Sequence, residues 1–204
     1  MNVQLFTAFL LITIVLIVMP GPIVTLVIST GATRGVRAAL TTVAGTTLGN
    51  AMLLAAIALG LNWVHAHADL LFNALRLTGA AYLVWLGVQM WRDAGEGGEK
   101  LLESGRARFV RGFIVALSNP KTIVFFTAFL PQFIDSRLPA GPQLAAMCVA
   151  SVLIAGASDC AWAIAAGMGR AWFIKPSRVK LLGRLSGTVL IGGGLWLSLA
   201  RRTS

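Results

Sequence analysis

Ser118-Asn119-Pro120-Lys121 lies inside an apolar segment, Gly112–Ile134, that is long enough to cross a bilayer. A proline there removes a backbone donor and clashes with the preceding turn. It also pushes Asn119 away from helical dihedrals. The stretch therefore predicts a helix that stops near Ser118 and restarts at Pro120, with Asn119 as N-cap and Pro120 as first helical residue. Lys121 follows at once. In hydrocarbon, irregular backbone and a charge are tolerated only where protein or a water-filled cavity covers them. The stretch is thus expected to face an internal cavity, with the other helices arranged around it.

The rest of the chain reads as membrane-embedded. Of its 204 residues, 57% are hydrophobic and 12% charged, and its mean hydropathy is +0.81. Soluble domains carry about 25% charged residues. Cys148 and Cys160 fall in one apolar segment, about 18 Å apart if helical, too far to bridge. The net charge of +10 would raise nucleic acid as a partner in a soluble chain. Here the basic residues are sorted by loop, which topology explains better, so no nucleic acid is expected. The first apolar run, Leu5–Ile28, has no basic flank and is longer than a signal-peptide core, so it reads as a true span.

Six segments reach the length of a span: Leu5–Ile28, Ala38–Leu61, Leu70–Trp91, Gly112–Ile134, Leu144–Met168 and Leu181–Ala200. The connections are Ser29–Arg37, Asn62–Asp69, Arg92–Arg111, Asp135–Gln143 and Gly169–Lys180. Arg76 opens the third span, where it can snorkel. The first, third and fifth connections, with Arg184 beside them, hold twelve basic residues: Arg34, Arg37, Arg92, Lys100, Arg106, Arg108, Arg111, Arg170, Lys175, Arg178, Lys180 and Arg184. The opposite side has three, Arg137, Arg201 and Arg202. The positive-inside rule puts the larger set in the cytoplasm and both termini outside.

Three spans on either side of the Gly-rich midpoint, 94–99, is an odd number, so the second trio must cross in the opposite sense. Met19-Pro20-Gly21-Pro22-Ile23-Val24 in the first span resembles Ser118-Asn119-Pro120-Lys121-Thr122-Ile123-Val124 in the fourth. Each has a residue suited to N-capping followed by proline. The fold expected is all-α: a single transmembrane domain over 1–204, with six helices as two inverted three-helix repeats. Repeat one spans about 1–91 and repeat two about 112–204, joined by a cytoplasmic connection over 92–111, and the first and fourth helices are broken.

Asp159 lies mid-way along the fifth span, where an acid costs about 2.5–3.5 kcal/mol on insertion scales. Ser151, Ala155, Ala163 and Gly167 recur at four-residue steps around it, a stripe of small residues that marks helix contact. Asp159 should point into the bundle, as a structural acid or as a substrate or proton site. Lys121 falls at a matching depth. An ion pair between them and snorkelling of Lys121 to the inner interface are both open. Gly45 and Gly49, with Thr41 on their face, and Gly183 and Gly187 read as close helix packing. Asn50, Thr46 and Gln89 are intramembrane polar residues suited to interhelical hydrogen bonds or to lining the cavity. His65 and His67 read as solvated. No P-loop pattern is present, so ATP-driven transport would need another subunit.

Together these features resemble the LysE/RhtB family of bacterial amino-acid exporters, of the lysine and homoserine-threonine exporter type. The resemblance rests on Pro20-Gly21-Pro22, Arg34-Gly35, Gly45 with Gly49, and Gly79-Ala80-Ala81-Tyr82-Leu83-Val84-Trp85-Leu86-Gly87. It continues through Arg111-Gly112-Phe113, Asn119-Pro120-Lys121, Phe129-Leu130-Pro131-Gln132-Phe133, and Asp159 with Trp162. It implies six helices in the bacterial inner membrane and proton-driven export of amino acids or their derivatives. The substrate stays open, as does a monomer against a homodimer. The expected site is substrate-binding, not catalytic: Pro20, Gly21, Pro22, Asn50, Asn119, Pro120, Lys121 and Asp159, with no metal or other cofactor. Helix N-termini after Gly21 and Asn119 would hold a carboxylate, and Asp159 an ammonium or a proton. Two alternatives compete. A divalent-metal exporter would want a buried ligand cluster, for which Asp159-Cys160 with Met168 is poor. A membrane thiol-redox carrier would want cysteines beside the prolines, where this chain has Met19, Gly21, Asn119 and Lys121.

Overall fold

The computed structural model describes residues 2–67, 81, 84, 85, 88, 91, 92, 104–169, 172 and 175–199. Among the described residues every regular element is helical. Helix α1 spans Val3–Val18, α2 Pro22–Arg34, α3 Val36–His67, α4 Gly105–Leu117 and α5 Pro120–Phe129. A 3-10 turn, Leu130–Phe133, extends α5; α6 spans Ala140–Met168 and α7 Pro176–Leu199. By length and composition α3, α4 through the 3-10 turn, and α6 can each cross a membrane, and α1 with α2 forms a fourth candidate bent by 45°. The expected third span, with Arg76, Gln89 and most of Gly79–Gly87, lies largely outside the described residues, as does the Gly-rich midpoint. The side chains of His65 and His67 lie outside them too.

Each helix end follows from local chemistry. Asn2 caps α1, its side chain accepting from the Gln4 and Leu5 amides at 3.0 and 3.3 Å. Pro20 and Pro22 then break the chain, and α2 starts on Pro22 with Gly21 as N-cap. The connection expected over Ser29–Arg37 is helical apart from Gly35. Gly35 turns the chain at φ 86°, its N–H closing on the Gly31 carbonyl at 2.9 Å. A left-handed residue reverses direction in one step, and only glycine does so without strain. Helix α4 begins at Gly105, so Arg106, Arg108 and Arg111 are helical where a loop is expected.

Residue contacts fix the directions. Thr42 meets Gly112, and Gly49 meets Phe113 and Ala116, so α3 and α4 run parallel. Thr46 meets Asp159, while Gly167 meets Val36, so α6 runs against α3. Phe9 packs edge-on against Phe133 at 5.5 Å, while Leu16 lies by Lys121, so the broken α1–α2 runs antiparallel to the broken α4–α5. The close α3–α4 approach needs its glycines: a Cβ on Gly45 would strike the Phe109 backbone, and one on Gly112 the Thr42 backbone. The expected packing role of Gly45 and Gly49 is what the structure has.

The pattern of exposure is that of a membrane bundle. On α6, Val149 and Leu153 are 59% and 67% exposed, whereas Ser151 and Asp159 are 1% and 3% exposed. Among the described residues three apolar clusters form the interior, the smallest being Val24, Ile28 and Ala166. Of the two larger, one gathers Phe9, Leu54, Phe126, Phe129, Leu144 and Met147. The other gathers Ile23, Val27, Val43, Ala116 and Ala163. Along α3, α6 and the α4–α5 pair, six buried polar residues fall between the two larger clusters in sequence: Thr46 and Asn50, Ser151 and Asp159, Asn119 and Lys121. The polar layer is therefore sandwiched between two apolar ones.

Candidate functional site

The two helix breaks face one another. At the second, Ser118 ends α4 and Asn119 caps α5 with φ −69° and ψ 108°, as the proline requires of the residue before it. The Asn119 side chain accepts from the Lys121 amide at 3.2 Å, and its Nδ2 donates to Thr122 Oγ1 at 2.9 Å. At the first break Gly21 has no side chain with which to cap α2. Among the described residues the opening amides of α2, at Ile23 and Val24, therefore meet no capping side chain. The two half-helix N-termini are therefore not equivalent, although the sequence presents them as a matched pair.

Lys121 crosses from one break to the other. Its Nζ donates to the Leu16 and Met19 carbonyls, both at 2.9 Å. These oxygens belong to the C-terminal end of α1, which the prolines deprive of intrahelical donors. Trp162 Nε1 donates to a third, the Val18 carbonyl, at 3.2 Å. A Cβ on Gly21 would sit 3.1 Å from Lys121 Nζ, so glycine is what lets the lysine lie across the break. Lys121 does not snorkel: it is buried at 6% exposure.

Asp159 does not form a contact ion pair with Lys121; its Oδ2 accepts from Thr46 Oγ1 at 3.0 Å instead. The two charges still act on each other electrostatically. Thr46 Oγ1 is also 3.0 Å from the Val43 carbonyl. Its single proton serves one acceptor at a time. An ionised Asp159 accepts the hydrogen bond from Thr46. A protonated Asp159 donates to Thr46, which then turns to Val43. The carboxyl is hydrogen-bonded in either state.

A cavity of about 40 Å³ joins these groups, lined by Gly21, Asn50, Asn119, Lys121, Ser151 and Asp159 together with Ile23, Val24, Ala155 and Phe126. Of the residues expected at the site, Gly21, Asn50, Asn119, Lys121 and Asp159 line it. Pro20, Pro22 and Pro120 shape the breaks and are not in its wall. The volume holds roughly three water-sized groups, well below the about 300 Å³ of a small-molecule pocket. Among the described residues no three His, Cys, Asp or Glu side chains gather to hold a metal. The bonds of Trp162 and Lys121 to the α1 carbonyls escape sequence reasoning, although Trp162 beside Asp159 is among the residues that carry the family resemblance. Trp162 also lies three positions after Asp159 and so projects from nearly the same side of α6.

The sequence pattern of LysE type translocators matches residues 14–201. The chain belongs to that family. A homoserine/homoserine lactone efflux protein of Salmonella typhimurium is 31% identical over 98% of this chain and 99% of its own length. An uncharacterised membrane protein of Vibrio cholerae is 31% identical over 98% of this chain and all of its own. A leucine efflux protein of Klebsiella pneumoniae is 32% identical over 64% of this chain and 63% of its own length. No solved structure matches the chain. The family and the apolar helices make this LysE type translocator a membrane transporter.

Proposed function

We propose that this LysE type translocator exports amino acids from the cytoplasm. The observation that carries the reading is the cavity between two helix breaks, with the buried Lys121 and Asp159 in its wall and not joined as a pair. A zwitterion fits such a wall. Its carboxylate would lie toward the uncapped amides of α2 and the positive end of that helix. Its ammonium would lie toward Asp159. Gly21, Asn50, Asn119, Lys121 and Asp159 would form the binding surface, with Pro20, Pro22 and Pro120 holding the breaks open. Relatives named for efflux of homoserine, its lactone and leucine support a small amino acid or derivative as the cargo.

Export would be secondary and coupled to protons. Thr46 supports this part of the reading, because it lets Asp159 gain or lose a proton without losing its hydrogen bond. Six spans in the bacterial inner membrane, arranged as two inverted repeats with both termini periplasmic, complete the proposal. The antiparallel placement of the two broken segments supports it, and rocking one repeat against the other would open the cavity to each side in turn. A working homodimer is compatible with it. The test is efflux of labelled leucine and homoserine from proteoliposomes, with and without an imposed pH gradient. Gradient-driven efflux that Asp159→Asn abolishes at equal folded protein is expected. Efflux indifferent to the gradient would remove proton coupling, and no efflux of any amino acid would remove the transport reading.

A further inference from the structure

Beside the uncapped amides of α2, two side-chain oxygens in the cavity wall keep capacity to accept a hydrogen bond. Asn119 is engaged at both ends, by the Lys121 amide and by Thr122. Lys121 Nζ is turned to two carbonyls of α1. Ser151 Oγ donates to the Met147 carbonyl at 2.7 Å. By contrast, Asn50 is 5% exposed, and among the described residues its Oδ1 meets no partner. Asp159 commits only Oδ2, to Thr46. A buried oxygen without a donor destabilises the protein that carries it.

Asn50 lies four positions beyond Thr46, one turn along the same face of α3. Thr46 touches Asp159, so the Asn50 amide stands about one helical turn, roughly 6 Å, from the Asp159 carboxylate. One nitrogen between two oxygens so spaced would be within hydrogen-bond reach of both. Ala155, the small residue of the α6 stripe at this level, leaves the room.

We infer that Asn50 Oδ1 and the Asp159 carboxylate form a subsite for a protonated amine with at least two free N–H groups. The inference rests on the transport reading above and adds what the site selects: the amine end of the cargo is obligatory. An N-acylated amino acid has a single amide N–H. It would leave one acceptor unpaired and bring a carbonyl oxygen toward a carboxylate. Sites built around such hydrogen bonds reject the analogue that lacks them strongly.

The experiment is competition against counterflow of labelled L-leucine and labelled L-homoserine in proteoliposomes, using the unaltered protein. L-leucinamide, which keeps the amine and lacks the carboxylate, should compete. N-acetyl-L-leucine, which keeps the carboxylate, should compete at least about 100-fold more weakly than leucine. Asn50→Leu should unfold at the same temperature as the parent or higher, because the unpaired oxygen is gone, and should lose the leucine-induced thermal shift. Asn50→Asp should keep the preference for the amine. Competition by N-acetyl-L-leucine within about tenfold of leucine would overturn the subsite and leave amino-acid export standing. Counterflow of neither amino acid would overturn the transport reading and the subsite with it. The analogue comparison does not depend on any variant folding.

Discussion

Lys121 Nζ lies 2.9 Å from the Leu16 carbonyl oxygen, so a cation at the start of one half-helix closes the open end of another. The contact is electrostatically apt. The C-terminal end of α1 carries the negative end of the helix dipole and carbonyls without donors. With Met19 and the Trp162–Val18 bond, three carbonyls at the break are satisfied by side chains from α5 and α6. The first broken span is thereby fastened to the second half of the chain. The same geometry separates Lys121 from Asp159, and their roles follow from that.

Lys121→Met is expected to lower the unfolding temperature of the detergent-solubilised protein. Hydrogen bonds to a charged group contribute about 1.5–3 kcal/mol each, offset in part by removing a buried charge. Adding Asp159→Asn should not restore stability or efflux, because the two charges are not each other's partners. Recovery of wild-type folding and efflux in the double variant would show instead that they function as a pair.

Gly45→Ala should destabilise the bundle by about 1–3 kcal/mol, since the new methyl meets backbone of α4 and not a movable side chain. Gly60→Ala, on the same helix with nothing within 4 Å, should be neutral or stabilising by up to about 1 kcal/mol. Thermal unfolding of the two variants side by side checks the contrast. Equal effects would mean that the α3–α4 approach is looser than described.

Ala155→Val puts two carbons into a cavity of about 40 Å³. Folded protein in the membrane should stay near the parent level, and efflux should fall roughly tenfold or more. Unchanged efflux would place the cargo's path elsewhere.

Asp135 sits in the loop before α6. The Arg137 amide and the Asn2 side chain donate to it at 3.0 and 3.2 Å and hold its carboxyl below the ordinary value of 3.8. A carboxyl depressed in the folded state contributes stability above its unfolded value and loses it as pH falls through the folded one. The unfolding temperature should therefore drop more on acidification below about pH 4 for the parent than for Asp135→Asn. The difference should be small, because Asp135 is partly open to solvent. Parallel curves for the two proteins would remove Asp135 from the acid response.

Cysteines placed at Glu99 and Ser177, with Cys148 and Cys160 replaced by alanine, should react with an impermeant reagent only from the cytoplasm. One at Ala66 should react only from outside. The twelve-to-three division of basic residues sets this expectation. Labelling of position 66 from the cytoplasm alone would reverse the topology.

What the sequence by itself determined is local. Pro120 after Asn119, and Pro22 after Gly21, dictate where helices stop and restart, because dihedral and capping preferences act within one turn. The four-residue stripe from Ser151 to Gly167 turns Asp159 inward by helical geometry alone, and long apolar runs require a membrane. What only the tertiary structure decided is partnership across the chain. Lys121 and Asp159 match in depth along their own helices, yet each finds another partner, 105 and 113 residues away, at Leu16 and Thr46. Those choices depend on how α1, α3, α5 and α6 are rotated against one another, which side-chain packing fixes. Periodicity gives the face of a helix and not the neighbour it meets. The unequal N-termini arise similarly. Glycine and asparagine both cap well, but only asparagine carries a side chain to occupy the amides, and only the assembled bundle brings the unoccupied ones to the cavity.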